Sequence, residues 1–371
     1  MKTKPSRSKL TRIALAAAAI LGITTGLHAT SEMSLDHPGA KAVLAVQKSV
    51  TTDLMKLPGV LGTAVGQDDT ETAALVVYVD QDSPSRADIV RSLPPQIRGV
   101  GVKVELTDKF RALAGKPGPG SGINYKARQT PPIQLGTSGG WSYDLANGYC
   151  CGGTLGSLIQ VNGVQFIMSN YHVLEADTVS GGNSIVATTG QPVIQPALID
   201  VNCSSANSQT VATLVKLSAL PGANVDVAVA QVTPGMVNAS GDILGIGTLS
   251  SNTVAATINK GVKKSGRTTG MTTSSISGLN ATISITYENE CAGGTAFTKT
   301  FTGQIVIANR SSRFLASGDS GSLMVENVTT KPRAIGLLYA GSTSTAIANP
   351  VNEVLTFVGS QLGGTATMVG N

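Results

Sequence analysis

The sequence predicts a mainly β protein preceded by a small α/β module, and three observations carry that expectation. Only 13% of the 371 residues are charged and 4% are aromatic, while glycine occurs 43 times, a composition that favours many tight turns over long helices. Beyond residue 132 the chain runs for about 240 residues with frequent Gly, Asn and Ser punctuation and one helical period, Val351 to Leu362, as sandwiches and barrels do. Between Ala40 and Leu113, by contrast, the apolar spacing changes in the order helix, strand, strand, helix, strand, which suits a two-layer α/β unit.

Residues 1–29 read as an export signal. Lys2, Lys4, Arg7, Lys9 and Arg12 form a basic start, Ile13 to Leu27 is an apolar run too short for a membrane span, and Ala29 is a small residue at the cleavage point. The remainder carries 22 Lys+Arg against 22 Asp+Glu, so the whole chain's net charge of +5 belongs to the signal. That balance gives no reason to expect nucleic acid or an anionic membrane as partner, and the expected location is secreted or periplasmic.

Within residues 40–113, Val43, Leu44, Val46, Val50 and Leu54 recur at helical spacing and Pro58-Gly59 ends that helix. Val60 to Val65 and Ala73 to Val79 are strands around a polar turn, Ser83-Pro84 starts a second helix, and Val100 to Leu106 is a third strand. Nothing here looks catalytic, so the module is expected to pack against or regulate the C-terminal part of the chain. Residues 114–132 form a Gly/Pro-rich linker, and 133–371 a second domain. Its clearest hairpin joins Thr154–Val161 to Val164–Met168 through Asn162-Gly163, a pair that accepts the positive φ values of a type I′ turn.

Export places Cys150, Cys151, Cys203 and Cys291 in an oxidising compartment, where three full pairings are open. No CxxC spacing or cysteine–histidine cluster suggests zinc, and no phosphate loop can be drawn through Gly266 to Gly270, so neither metal nor cofactor is expected.

Chemistry concentrates at Gly318-Asp319-Ser320-Gly321-Ser322. A serine between glycines sits on a tight turn with its hydroxyl exposed, and the N–H groups of Gly318 and Ser320 can receive an oxyanion. Serine catalysis also needs a base and an acid. His28 lies in the signal and His37 before the first helix, which leaves His172, at the end of the hairpin's second strand, as the base candidate. The acid candidate is Asp226, because a carboxylate inside Asn224 to Val232 is buried and needs a hydrogen-bonding partner; Glu175, Asp177 and Asp200 have polar or turn-like neighbours.

Taken together, these stretches resemble the chymotrypsin/trypsin-like serine peptidases of the bacterial secreted type. The resemblance rests on Gly152-Gly153-Thr154-Leu155-Gly156, Ser169-Asn170-Tyr171-His172-Val173, Val225-Asp226-Val227-Ala228, Lys264 to Gly270, and the serine turn. It implies two six-stranded β-barrels with the site between them, Ser320 as nucleophile, His172 as general base and acid, and Asp226 as the group that holds the imidazole. It also implies a protein or peptide substrate; separately, the position of residues 40–113 between signal and barrels, and a cleavable-looking linker with Lys126 and Arg128, lead to the expectation that the module acts as a pro-region or regulator. Two departures stand out: Val173 replaces a half-cystine of the animal enzymes, and Gln129-Thr130-Pro131-Pro132 does not provide a new N-terminus of the kind that pairs with Asp319. Within the first barrel so implied, Cys203 is expected to pair with Cys150 or Cys151, since adjacent cysteines rarely close on each other; Cys291 is left free or bridging.

The same resemblance puts the floor of the specificity pocket at Phe314 and its wall at Tyr339-Ala340-Gly341. Ser311 to Ser317 contains no acid to receive Lys or Arg, and no second histidine is at hand to receive glutamate, so small or medium apolar side chains are expected before the cut bond. An α/β-hydrolase is disfavoured by Ser322 in place of the second glycine of G-x-S-x-G. The rival expectation is a catalytically weak or inactive barrel pair that serves as a secreted binding or scaffold protein.

Overall fold

In the N-terminal layer, Pro38 at the first turn and His37 Nδ1, which accepts from Gly39 N at 3.2 Å, start helix α1 (Pro38–Leu54). That helix buries Ala40, Val43 and Val46 on a sheet made of β1 (Val60–Gln67), β2 (Ala73–Asp80), β3 (Gln96–Ile97) and β4 (Val100–Thr107), with α2 (Arg86–Ser92) crossing between the parallel pair β2 and β4. The second helix begins later than Ser83-Pro84: the Ser83 hydroxyl accepts from Ser85 N at 3.3 Å, and these residues form a turn before the cap at Ser85. A two-residue strand, β5 (Arg111–Ala112), ends the layer. The structure, a computed structural model, describes residues 31–112, 123–146, 149–175, 187–217, 219–287, 297–311 and 313–371. The export signal, residues 114–122 of the linker, Asp177 and Cys291 therefore lie outside the described residues.

The chain is mainly β, with two curled sheets consistent with a trypsin-like double barrel. The first comprises β6 (Thr137–Trp141), β9 (Gly153–Leu155), β10 (Ser157–Val161), β11 (Val164–Ser169), β12 (Pro192–Gln195), β13 (Gln209–Val215) and β14 (Ala228–Val232); a small hairpin, β7 (Leu145–Ala146) with β8 (Tyr149–Cys150), stands apart. β9 and β10 are separated by Gly156 alone, and because β9 pairs with β6 while β10 pairs with β11, that bend closes the ring at six strands. Asn162 and Gly163 have φ values of 49° and 79°, as the type I′ turn requires.

The second ring is β15 (Gly261–Gly266), β16 (Gly270–Tyr287), β17 (Phe297–Ala308), β18 (Leu323–Glu326), β19 (Ala334–Gly341) and β20 (Thr345–Pro350), closed by the β15–β16 pairing. Helix α4 (Val351–Leu362) follows β20, and β21 (Ala366–Met368) returns to pair with β10. The N-terminal layer joins this ring: β1 pairs with β16, so β1, β2, β4 and β3 continue its sheet. One apolar cluster runs through both barrels, and a second, with Val43, Val65, Leu75, Ile276 and Phe314, lies between α1, the layer and the second barrel. Cys150 pairs with Cys203 across a Cα separation of 5.5 Å, and Cys151 is disulfide-bonded as well. Among the described residues no helix is long and apolar enough to cross a membrane.

Candidate active site

Strand register brings the histidine and the acid together. β11 and β14 are antiparallel, with Ser169 opposite Ala228. His172 lies three residues beyond that pair, in the short helix α3 (Tyr171–Leu174), and Asp226 two residues before it, so both leave the sheet at the same end. His172 Nδ1 is 2.7 Å from Asp226 Oδ2, and Oδ1 accepts from Tyr171 N at 2.8 Å. Asp226 N donates to Asn349 Oδ1 at 2.9 Å, and its carbonyl accepts from Asn170 Nδ2 at 2.7 Å. The carboxylate is wholly buried and the imidazole 12% exposed; its Nε2 makes no hydrogen bond among the described residues.

The serine turn is pinned where the barrels meet. Thr154 of β9 donates its N–H to Ser320 O at 2.9 Å and its hydroxyl to Gly318 O at 2.9 Å. A Cβ on Gly321, which has φ +91°, would lie 2.2 Å from Ser169 Oγ and 2.3 Å from Thr154 O, so only glycine permits this approach. A Cβ on Gly153 would meet Val173 Cγ2 at 2.6 Å and Ser320 O at 3.0 Å, which puts the serine backbone and the residue after His172 around one point. Ser320 Oγ itself is buried, 3.3 Å from Tyr339 O. The Gly318 N–H makes no hydrogen bond among the described residues.

Asp319 aims its carboxylate into the second barrel. It accepts from Thr268 N at 2.8 Å, Thr269 N at 3.1 Å, Thr269 Oγ1 at 2.6 Å and Ala316 N at 3.0 Å, and it pairs with the buried Lys264 Nζ at 3.2 Å. Burial pulls the Lys264 ammonium down, against the Asp319 carboxylate that holds it up. The partner of Asp319 thus comes from β15 and not from a chain terminus. Next to it, the buried Arg267 guanidinium binds Asp200 twice, at 2.6 Å each, and Asp200 also accepts from Ser138 Oγ at 2.6 Å. Asp200, a weaker acid candidate from sequence, therefore belongs to a barrel-bridging ion pair. Glu175 is buried with Oε1 on Leu217 N at 3.0 Å, and burial pushes it up to about 7. Burial also raises Asp144 to about 7, against the pull of His172.

Of the residues expected to shape a pocket, Phe314 is 2% exposed in the second apolar cluster, with its N–H on Asn309 Oδ1 at 3.1 Å. The Tyr339 ring packs on Phe301 at 5.1 Å and its hydroxyl donates to Gln304 at 3.1 Å, so it is the carbonyl that faces Ser320. Ala340 and Gly341 pair on one edge with β20 and on the other, antiparallel, with β5. Sequence reasoning missed Tyr287, whose hydroxyl donates to Asp226 Oδ2 at 2.9 Å, and Asn349; neither sits in a recognisable motif. Among the described residues no group of three or more His, Cys, Asp or Glu side chains could hold a metal ion.

A family model described as the Nal1 C-terminal domain matches residues 219–349. Among solved structures, the chain is similar to a glutamic acid specific serine protease that uses a histidine triad in substrate binding, at 18% identity over 64% of this chain and 100% of that one, with a TM-score of 0.41. It is also similar to Thermobifida fusca Protease A, at 19% identity over 64% and 99% with a TM-score of 0.39, and to Cellulomonas bogoriensis chymotrypsin, at 20% over 64% and 99% with 0.37. No curated protein matches.

Proposed function

We propose that the chain is a secreted serine endopeptidase acting through Ser320, His172 and Asp226. The observation that carries the reading is the 2.7 Å contact between His172 Nδ1 and the buried Asp226 carboxylate, at the barrel junction where Ser320 also lies. In the reaction, Ser320 Oγ adds to the peptide carbonyl carbon as its proton passes to His172 Nε2. The oxyanion is received by the N–H groups of Gly318 and Ser320. Collapse expels the amine, which takes the proton from Nε2 and leaves an acyl ester on Ser320; water, deprotonated by the same nitrogen, then releases the acid. Before the first step the Ser320 hydroxyl turns from Tyr339 O toward Nε2, a tightening that substrate binding commonly brings.

In this reading a substrate lies extended along Ala340–Gly341, with a small or medium apolar side chain toward the Phe314 side. β5 now pairs with that edge: Ala112 is opposite Ala340 and Arg111 opposite Gly341, while Thr286 N holds Phe110 O at 2.9 Å. Asp108 fastens the approach by accepting from Thr343 N at 3.0 Å and Thr343 Oγ1 at 2.6 Å. Together with the burial of Ser320, this supports regulation of the barrels by residues 40–113, whose last strand competes with substrate. Profiling the full chain and its Phe110→Ala variant against a mixed peptide library tests the function. Cleavage after small or medium apolar residues, faster in the variant and lost with His172→Ala, is expected. No cleavage by either form would favour a binding or scaffold role.

A further inference from the structure

The acid of the candidate triad is held by more than its histidine. Asp226 Oδ2 accepts from both His172 Nδ1, at 2.7 Å, and the Tyr287 hydroxyl, at 2.9 Å. Tyr287 is the last residue of β16, so this hydrogen bond reaches from the second barrel to a histidine–acid pair that belongs to the first. Its ring is stacked on Phe297 at 4.7 Å and 15° and stands edge-on to the imidazole at 6.0 Å and 72°. Burial, and then the Asp226 charge, push the phenol's pKa well above its usual range, so the hydroxyl remains a donor.

A second connection runs behind the carboxylate. Asp226 N is bound to Asn349 Oδ1, Asn349 Nδ2 donates to Gln304 Oε1 at 2.6 Å, and the same oxygen accepts from the Tyr339 hydroxyl, whose residue presents its carbonyl to Ser320. That network fixes the Asp226 backbone and leaves the carboxylate torsion to be set by what binds its oxygens. Oδ1 accepts from two main-chain N–H groups of α3, Tyr171 N at 2.8 Å and His172 N at 3.4 Å. Among the described residues, Oδ2 without the phenol would be held by the imidazole alone, the group whose orientation it has to determine.

On the peptidase reading of this site, we propose that Tyr287 is a positioning residue of the triad: its hydroxyl fixes Asp226 Oδ2 toward His172 Nδ1 and thereby sets the imidazole's tautomer and direction. The residue touches neither substrate nor reacting atoms and acts through Asp226.

Tyr287→Phe keeps the ring contacts and removes the donor, so the full chain carrying it is the test. Removing a charge-assisted hydrogen bond made to the working carboxylate is expected to lower kcat, and the rate of fluorophosphonate labelling, by about ten- to a hundredfold with KM changed by less than about twofold. In the Asp226→Asn background the same substitution is expected to cost nothing further, because its route is already cut. Proton NMR gives a readout that needs no turnover: the His172 Nδ1–H resonance, assigned by its loss in His172→Ala, shifts or broadens in Tyr287→Phe. Labelling of Tyr287→Phe at the parent rate, or an equal loss in both backgrounds, overturns the proposal. If neither the parent chain nor its Phe110→Ala variant labels, the peptidase reading fails on its own; the NMR signal then decides, and an unmoved resonance overturns the role of Tyr287.

Discussion

The two halves of the candidate site are held by different means. On the first barrel, His172 and Asp226 are oriented by hydrogen bonds to the acid itself: Tyr171 N and Tyr287 on its oxygens and Asn349 on its backbone. On the second barrel the grip is on the turn beneath Ser320, which is fixed through its neighbour Asp319, buried against Lys264, Thr268 and Thr269. On the proposed peptidase reading, the difference reflects what each half must do. An imidazole that takes and returns a proton needs one fixed tautomer, whereas a nucleophile has to turn toward its base and needs a rigid turn beneath a mobile hydroxyl.

The comparison breaks most visibly at the acid. Asp226→Asn is expected to cut turnover by about 10⁴-fold because the amide favours the wrong imidazole tautomer, and the initial rate on a peptide substrate checks it. On the serine side the loss should appear in stability. Lys264→Met leaves the Asp319 carboxylate buried without its ammonium, a change expected to cost about 3–5 kcal/mol in urea unfolding, with part recovered when Asp319→Asn is added.

Glu175, just past α3, gives the first-barrel half a pH dependence. Its carboxyl is raised from 4.5 to about 7 by burial, so the folded state favours the protonated form. Its contribution is therefore complete below about pH 4.5 and is lost as pH rises through about 7, a change on the order of 3 kcal/mol. Glu175→Gln should remove that share of the slope of the unfolding free energy across that window, leaving the share of Asp144, which burial also raises to about 7. The smallest effect is expected at the edge proposed for substrate. Asp108→Ala removes two hydrogen bonds that fasten the segment before β5, and should raise hydrolysis by about fivefold, the equivalent of one net hydrogen bond of about 1 kcal/mol.

The elements themselves were readable from local pattern. Alternation and Asn162-Gly163 marked the β10–β11 hairpin, and apolar spacing at Val351 to Leu362 marked α4, because each depends on neighbours in sequence. Cys203 pairs with one of its two expected partners, Cys150. The contact between His172 and Asp226 was legible only as two residue types with a reason to meet. Tyr287 and Asn349 were not legible at all, since a phenol at a strand end and an amide before a helix are ordinary until register sets both against one carboxylate. The joining of β1 to β16 was equally hidden: a strand's pattern shows which face is buried and not which edge it pairs.

Whether Ser320 is an activated nucleophile is the claim on which the functional account turns. Incubating the folded chain and its Phe110→Ala variant with a fluorophosphonate, then mapping the adduct by peptide mass, tests it most directly. Stoichiometric modification at Ser320, abolished by His172→Ala, is the predicted result. A chain that stays unmodified in both forms, or that is modified equally well without His172, would contradict it.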